Sequence, residues 1–197
     1  MIEIKSKEII AQYLDQRKID QFLDEVENAN RKMNLFSRGS NRDDLLILAA
    51  ESVLPVHLGM ISPESGPILD VGSGWGIPSI PLLLWNKDLD ITLVERSQKK
   101  ADFLILALHR LGLQAEIINS DIEHIPEGDK FEIITLRQVA LEKQFVKAVR
   151  RHCADDAKFI YFGPSLDGSL FDILNSAVYS IDGKPVRTVT AANFSQK

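Results

Sequence analysis

Three glycines follow a short apolar run at regular spacing, and they mark the part of the chain best suited to hold a ligand. The run Ile68–Val71 predicts a buried strand that leads directly into Gly72, Gly74 and Gly76. Glycine allows positive φ angles and leaves no Cβ atom where a ligand must approach the backbone. A helix that begins near Pro78 would direct free N–H groups to the same place. The segment therefore predicts a ligand-binding turn between a strand and a helix.

The spacing of these glycines distinguishes between ligands. A dinucleotide-binding turn has the pattern G-x-G-x-x-G, but Ile77 stands at the position of its third glycine. The turn also lacks the G-x-x-x-x-G-K-[ST] pattern of a phosphate-binding P-loop. The pattern Asp70-x-Gly72-x-Gly74-x-Gly76 instead resembles the first motif of S-adenosylmethionine-dependent methyltransferases. Its carboxylate suits a ligand with an ammonium and a sulfonium group rather than a pyrophosphate.

Acidic residues follow the next two predicted strands and would face the same ligand. Glu95 ends the strand Ile91–Val94, 23 residues after Gly72, and could accept hydrogen bonds from both hydroxyls of a ribose. Asp121 and Ile122 follow the third strand and would face the adenine amino group. Two alternatives remain open: Glu95 as a solvated strand end, and Asp121 as the N-cap of a helical turn. The predicted cofactor-binding residues are Asp70, Gly72, Ser73, Gly74, Gly76, Glu95, Asp121 and Ile122.

Few residues qualify for a direct role in a reaction. Arg137 is the best catalytic candidate, as a residue that positions substrate or cofactor, because it ends a predicted strand where α/β proteins bind ligands. A structural ion pair is the alternative for Arg137. Trp75 and Phe36 could stack on a base or pack in the core. We interpret the four histidines and Cys153 as surface or packing residues.

Composition and charge limit the partners of the chain. It has 197 residues, of which 45% are hydrophobic and 26% charged, as is usual for a globular protein. One cysteine excludes an internal disulfide and a cysteine zinc site, and we expect no metal. The N-terminus carries no secretory signal, and no apolar run is long enough to cross a bilayer, so we expect a cytoplasmic protein without a membrane partner.

A net charge of −5 argues against an extended nucleic-acid-binding surface, but in one run of the chain all charged residues are basic. Between residues 31 and 42 there are four basic residues and no acidic ones. This run is either a rim that faces RNA or a solvated helix end and loop. The predicted RNA-binding residues are Arg31, Lys32, Arg38 and Arg42.

The pattern of apolar residues changes near residue 67. Before it, apolar residues recur at helical spacing; after it, short apolar runs alternate with helical stretches, which is typical of βαβ units in a parallel sheet. The predicted strands are Ile68–Val71, Ile91–Val94, Glu116–Ile118, Phe131–Thr135 and Lys158–Phe162. The predicted helices between them are Ser79–Trp85, Gln98–Leu111 and Leu141–His152, with a possible helical turn at Ile122–Ile125.

The C-terminal part departs from this alternation. Leu170–Ser176 predicts a further helix, and Asp182-Gly183 predicts a tight turn that joins Val178–Ile181 to Val186–Val189 as an antiparallel hairpin. A hairpin added to a parallel sheet is typical of Rossmann-like methyltransferases. We therefore expect an α/β fold of that class: a mostly parallel sheet with an antiparallel C-terminal hairpin and an N-terminal helical segment. The expected division is an N-terminal helical segment over residues 1–66 and an S-adenosylmethionine-binding domain over residues 67–197.

A narrower resemblance concerns the segments Asn34-Leu35, Leu69–Leu82, Glu95–Leu104 and Leu111–Leu113. They are similar to the glucose-inhibited division protein B family, the bacterial small-subunit rRNA guanine-N7 methyltransferases. The run Gly-Ile-Pro-Ser-Ile-Pro at residues 76–81 is the most diagnostic part. The resemblance implies S-adenosylmethionine as the cofactor, and ribosomal RNA or the assembled small ribosomal subunit as the partner.

The chain departs from this family mainly at basic positions. Asp121 and Phe162 stand where the family has an arginine and a lysine, and Ile47-Leu48 replaces an Arg-His pair. Of the family's Ser-Arg-Ala, only Arg137 is kept. The alternatives are therefore a methyltransferase of a small molecule or a protein, and a non-catalytic S-adenosylmethionine-binding protein. The glycine spacing disfavours a third alternative, a dinucleotide-dependent oxidoreductase.

Overall fold

Eight strands form one sheet in the computed structural model, which describes residues 1–33, 35–36, 40–164 and 166–195. The strands are β1 (Ile2–Ile4), β2 (Ile68–Val71), β3 (Ile91–Val94), β4 (Glu116–Ile118), β5 (Phe131–Arg137), β6 (Cys153–Phe162), β7 (Phe171–Ile181) and β8 (Arg187–Phe194). Their order across the sheet is β1-β7-β8-β6-β5-β2-β3-β4. Strand β8 runs antiparallel to both of its neighbours, and the other pairs are parallel. The predicted mostly parallel sheet with a C-terminal hairpin is confirmed.

Helices cover both faces of this sheet. They are α1 (Ser6–Tyr13), α2 (Gln16–Met33), α3 (Arg42–Ser52), α4 (Leu54–His57), α5 (Ser79–Trp85), α6 (Gln98–Leu111) and α7 (Lys143–Arg150), with a 3₁₀ turn at Ile122–His124. Helix α3 begins with a capping box: the Asp44 amide donates to the Asn41 side chain, and the Asn41 amide donates to the Asp44 carboxylate. Helix α6 ends at Gly112, whose φ of 66° allows the chain to leave the helix at once.

The core consists of two apolar layers, one on each face of the sheet. In strand β2, Ile68 packs into one layer while Leu69 and Val71 pack into the other, as the alternation of side chains along a strand requires. The N-terminal segment is part of the first layer, because Phe22 of α2 and Leu45 of α3 belong to the same apolar cluster as Ile68. Residues 1–66 are thus mostly helical, as expected, and they cover one face of the sheet.

Two elements differ from the sequence prediction. The helix expected over Leu170–Ser176 is wrong: this segment is the first half of β7, which pairs with β8 along its length. The Phe171 ring packs on the rings of Phe159 and Phe194, with centroid distances of 5.3 and 5.2 Å, so cross-strand packing outweighs the local helical pattern. Strand β1 was not predicted, because three residues are too few to show a period; it is recruited by parallel pairing with β7.

Candidate cofactor and substrate site

The glycine turn between β2 and α5 has the backbone conformation that its sequence predicts. Gly72, Gly74 and Gly76 all have positive φ angles, of 78°, 61° and 97°. The Gly72 amide donates to the Val94 carbonyl at 2.9 Å, which fixes the turn against the end of β3. At Gly76 a Cβ atom would lie 2.5 Å from Cδ1 of Ile80, so only glycine lets the turn pack against α5.

Below the turn lies a buried polar cluster centred on Asp70. The Asp70 side chain accepts hydrogen bonds from Ser79 Oγ at 2.6 Å and from Thr135 Oγ1 at 2.8 Å. Ser73 Oγ donates to the Asp70 carbonyl at 3.0 Å. Asp70 is only 1% exposed, and this burial raises the pKa of its carboxyl to about 6 although the hydroxyl donors of Ser79 and Thr135 oppose the rise. Asp70 and Ser73 therefore hold the turn in shape from beneath.

Glu95 lies beside the turn and is fixed by two backbone amides. Its Oε2 accepts from the Gly74 amide at 2.9 Å, and its Oε1 accepts from the Ser97 amide at 2.7 Å. A carboxylate offers about four acceptor positions, so two remain for further donors. Glu95 is 5% exposed, and its exposed edge faces a cavity. The Gly74 amide is therefore used to orient Glu95.

This cavity opens at the carboxyl ends of the parallel strands and has a volume of about 620 Å³. Such a volume lies within the range of about 300–1,000 Å³ for small-molecule sites. Of the predicted cofactor-binding residues, Gly72, Glu95, Asp121 and Ile122 line this cavity, whereas Asp70, Ser73, Gly74 and Gly76 do not. We call it the cofactor cavity.

Asp121 both caps the 3₁₀ turn and lines the cofactor cavity. Its carboxylate accepts from the Glu123 amide at 3.2 Å, and Arg96 approaches it at 3.9 Å. The two alternatives from the sequence are thus compatible, because a cap leaves further acceptor positions on the carboxylate.

The sequence did not single out the rest of the cofactor cavity wall. Those residues include Arg96, Lys100, Val139, Ala140, Glu142 and Phe145. A Cβ atom at Gly72 would lie 3.6 Å from Cγ2 of Val139, which shows how closely the segment after β5 approaches the glycine turn. The residues after β5 could have been predicted from their position, because the loop after β5 leaves the same edge of the sheet as the glycine turn.

Arg137 is held by a buried carboxylate from another part of the chain. Its Nη2 donates to Glu51 of α3, and its guanidinium lies over the ring of Phe162, 5.3 Å from the centroid. Glu51 also accepts from Tyr179 Oη at 2.6 Å and from Arg187 Nη1 at 3.1 Å. The ion-pair alternative for Arg137 is therefore realised, and Arg137 nevertheless lines the cofactor cavity.

The charge state of Glu51 follows from these partners. Burial by itself would raise the pKa of Glu51, but Arg137, Arg187 and the Tyr179 hydroxyl outweigh it and hold the pKa below the usual value. Glu51 is thus an anion inside the protein. The sequence contained one signal for it: a single carboxylate in the apolar second half of the helix that begins at Arg42.

A second cavity of about 360 Å³ lies against this cluster, and we call it the arginine cavity. Its wall contains Glu51, Tyr179, Arg187 and the backbone after β6, and it shares Arg137 and Gln138 with the cofactor cavity. Gln138 has a φ of 51°, in the left-handed region that non-glycine residues rarely adopt. Strained residues of this kind concentrate at functional sites.

The predicted RNA-binding residues differ in exposure and in pairing. Arg31 and Lys32 are exposed on the last turn of α2. Arg42 donates to Asp24 and Glu27 of α2, both at 2.7 Å, so carboxylates already neutralise its charge. Arg38 lies outside the described residues. The described part of this run therefore presents Arg31 and Lys32 to solvent.

Other sequence candidates are packing residues. The Trp75 ring is buried; it stacks on Phe22 at a centroid distance of 5.8 Å and lies tilted against the half-buried Phe36 at 6.1 Å. Burial raises the pKa of the Cys153 thiol to about 12, so this thiol is a poor nucleophile. Among the described residues, no group of three or more His, Cys, Asp and Glu side chains could hold a metal ion. No helix in the described ranges has the length and apolar character needed to span a membrane.

Comparison with solved structures identifies the fold. The magnesium protoporphyrin IX methyltransferase of Synechocystis PCC 6803, solved with bound S-adenosylmethionine, has a TM-score of 0.60 and 14% identity, over 87% of this chain and 97% of its own. The tRNA (uracil-54, C5)-methyltransferase of Pyrococcus abyssi, in complex with S-adenosyl-L-homocysteine, has a TM-score of 0.56 and 16% identity, over 73% and 38%. The chain thus has the Rossmann-like methyltransferase fold.

Comparison with sequences identifies the family. Ribosomal RNA small subunit methyltransferase G of Mesomycoplasma hyopneumoniae strain 7448 is 32% identical over 138 residues, 66% of each chain. The protein of that name from Chromobacterium violaceum is 35% identical over 94 residues, 47% of this chain and 45% of its own. This chain thus spans from about half to about two thirds of these relatives' length. The model of the family rRNA small subunit methyltransferase G matches residues 15–163, from the start of α2 to the end of β6, and the chain belongs to that family.

Proposed function

We propose that this chain transfers a methyl group from S-adenosylmethionine to N7 of a guanine in small-subunit ribosomal RNA. The observation that carries this proposal is the cofactor cavity, in which Glu95 is fixed beside a glycine turn at the carboxyl edge of the sheet. Membership of the rRNA small subunit methyltransferase G family supports the RNA substrate.

The described residues of the cofactor cavity fit S-adenosylmethionine. Two acceptor positions of Glu95 remain free for the two ribose hydroxyls. The carboxylate of Asp121 can accept from the adenine amino group, and the buried Ile122 offers an apolar contact for the ring. The positive φ of Gly72 leaves its backbone open to the ligand. The wall carries four carboxylates and three basic side chains, and this small excess of negative charge suits the net positive charge of S-adenosylmethionine.

The chemistry asks little of the protein beyond alignment. The bound cofactor supplies an electrophilic methyl group. Guanine N7 has an exposed lone pair, so no proton has to leave before the new N–C bond forms, and no general base is required. The protein must hold N7 in line with the methyl group. Arg137 lies on the wall between the two cavities, where Glu51 and the ring of Phe162 restrict its motion.

The RNA is held by few charges in this proposal. The chain is acidic overall, and the described part of its basic run leaves Arg31 and Lys32 exposed, with Arg38 beyond the described ranges. Arg42 donates to carboxylates of α2, so in this proposal it fixes the position of the basic run and does not itself bind phosphate. We therefore propose weak binding to naked RNA and better binding to the assembled small subunit, in the cytoplasm.

Methyl transfer from radiolabelled S-adenosylmethionine to small subunits that lack the modification tests this function. We expect label in the RNA, recovered as 7-methylguanosine after digestion, and less label with the Glu95→Ala variant at a subsaturating concentration of S-adenosylmethionine. If calorimetry shows cofactor binding but no subunit is labelled, the chain is a methyltransferase of another substrate or a non-catalytic binding protein. Binding of NADH without binding of S-adenosylmethionine would overturn the cofactor assignment itself.

A further inference from the structure

The arginine cavity contains more positive than negative charge. Arg137 and Arg187 both contact the single carboxylate of Glu51, and the third contact of that carboxylate is the neutral hydroxyl of Tyr179. Burial, together with the neighbouring Glu51 carboxylate, raises the pKa of Tyr179, so its hydroxyl stays protonated. One guanidinium charge is therefore left without a matching anion among the described residues of the cavity wall.

Both arginines have donor groups that Glu51 does not use. Nη1 of Arg137 is buried and has no hydrogen-bond partner among the residues that the structure describes. Arg187 contacts Glu51 through Nη1, and its side chain is 37% exposed towards the solvent side of the cavity. A buried donor without a partner is destabilising and is uncommon unless a ligand or water completes it.

Gly163, directly after β6, also lines the arginine cavity. A Cβ atom at this position would collide with the ring of Tyr161, so the position admits no side chain. Arg137 and Gln138 belong to the walls of both cavities, so the arginine cavity and the cofactor cavity are adjacent. A nucleotide held by the arginines would therefore lie next to the bound cofactor.

We propose that the arginine cavity is the acceptor subsite, and that it binds a phosphate of the nucleotide to be methylated through Arg137 and Arg187. The assignment to RNA rests on the proposed function. A phosphodiester carries one negative charge, which matches the unmatched guanidinium, and its oxygens suit the planar fork of arginine. The base itself suits this place less well, because N7-methylguanine is cationic and two arginines would repel it. Glu51 keeps both guanidinium groups directed at the cavity.

Binding of guanosine 5′-monophosphate and of guanosine to the protein saturated with S-adenosylhomocysteine tests the subsite. We expect the nucleotide to bind about 10- to 150-fold more tightly than the nucleoside, since hydrogen bonds between charged groups are strong. NMR titration suits the low affinities of single nucleotides. Inorganic phosphate should compete with the nucleotide but not with the nucleoside.

Arg187→Gln should bring the dissociation constants of the nucleotide and the nucleoside close together. Arg187→Lys should keep part of the difference, because lysine retains the positive charge but lacks the planar fork of arginine. The matched control is Arg110→Gln, which removes an arginine paired with Glu25 on another surface. Unchanged affinity for S-adenosylhomocysteine shows that each variant is folded. Equal affinities of wild-type protein for nucleotide and nucleoside, or a difference that survives Arg187→Gln, would overturn the subsite.

The two proposals fail separately in these experiments. If wild-type protein methylates the small subunit but does not distinguish nucleotide from nucleoside, the function stands and the phosphate subsite falls. If it distinguishes them and the distinction depends on Arg187, but no RNA is methylated, the subsite stands and the proposed RNA substrate falls.

Discussion

At the scale of single residues, two carboxylates near the glycine turn have opposite roles. Asp70 lies beneath the turn, where hydroxyl groups surround it and burial raises its pKa to about 6. Glu95 lies beside the turn, where backbone amides fix it and leave acceptor positions free. Position relative to the turn thus decides which acid shapes the site and which one can contact a ligand.

Glu95→Ala should weaken binding of S-adenosylmethionine about 10- to 150-fold, because bonds to a charged acceptor contribute about 1.5–3 kcal/mol. Titration calorimetry measures the affinity, and circular dichroism checks that the fold is intact. Glu116→Ala, on the edge strand β4, is the matched control and should leave affinity unchanged. An unaltered dissociation constant for the Glu95 variant would show that this residue is only a strand end.

Asp70→Asn should change how stability depends on pH. The pKa of Asp70 is raised from 3.8 to about 6 in the folded protein, so the folded state binds the proton more tightly than the unfolded state. The associated stability is complete below the unfolded pKa and is lost as the pH rises through the folded one. The wild-type protein should therefore lose about 3 kcal/mol relative to the variant between about pH 4 and pH 7.

Urea unfolding of both proteins across this pH range measures the difference. Asp88→Asn, in an exposed loop after α5, is the control for removing an aspartate charge. A free-energy difference between wild type and Asp70→Asn that stays constant with pH would contradict the raised pKa.

At the scale of elements, hydrogen bonds and ion pairs of one buried carboxylate connect helix α3 to the C-terminal strands of the sheet. Glu51 of α3 contacts Arg137 at the end of β5, Tyr179 of β7 and Arg187 of β8. These strands are separated in sequence from α3 by the whole cofactor-binding half of the chain. One buried carboxylate therefore joins the N-terminal helices to the C-terminal hairpin and to the wall of both cavities.

Glu51→Ala should lower the free energy of unfolding by about 3–5 kcal/mol, because it leaves a buried arginine without its counter-ion. Arg187→Gln should cost less, since Arg187 is more exposed and Glu51 keeps Arg137. Chemical denaturation of both variants gives the comparison. A loss below 1 kcal/mol for Glu51→Ala would mean that water enters and replaces the carboxylate.

At the scale of the whole molecule, the net charge is negative, so the proposed function requires a small RNA-binding surface. The exposed, described cations of the basic run are Arg31 and Lys32, at the end of α2, while Arg42 is neutralised by carboxylates of the same helix. Few phosphate contacts predict a shallow dependence of RNA affinity on salt.

Replacing Arg31 and Lys32 together with alanine should lower methyl transfer and leave cofactor affinity unchanged, since the cofactor cavity contains neither residue. The slope of log affinity against log salt should become shallower by about 1.4, at roughly 0.7 per lost contact. Arg42→Ala is the comparison: we expect lower stability with little change in slope. Arg38→Ala tests the remaining member of the run. An unchanged slope for the double variant would place the RNA elsewhere.

The sequence by itself determined the local framework of this protein. Glycines alternating after Ile68–Val71 specify the turn because no other residue adopts its φ angles without cost, and the strand and helix periods specify the βαβ units. The sequence also predicted that Glu95 and Asp121 lie close together, because the carboxyl ends of parallel strands meet at one edge of the sheet. These features depend on backbone geometry that neighbouring residues set.

Only the tertiary structure decided which side chains meet. The contact between Glu51 and Arg137 joins residues 86 positions apart, and no local pattern encodes it. Strand β7 replaced an expected helix because Phe171 packs against Phe159 and Phe194 of neighbouring strands. The hydrogen bonds of Asp70 were also not predicted, because its partners, Ser79 and Thr135, come from two other elements. Packing and desolvation depend on all neighbours in space, so they are fixed only when the whole chain is folded.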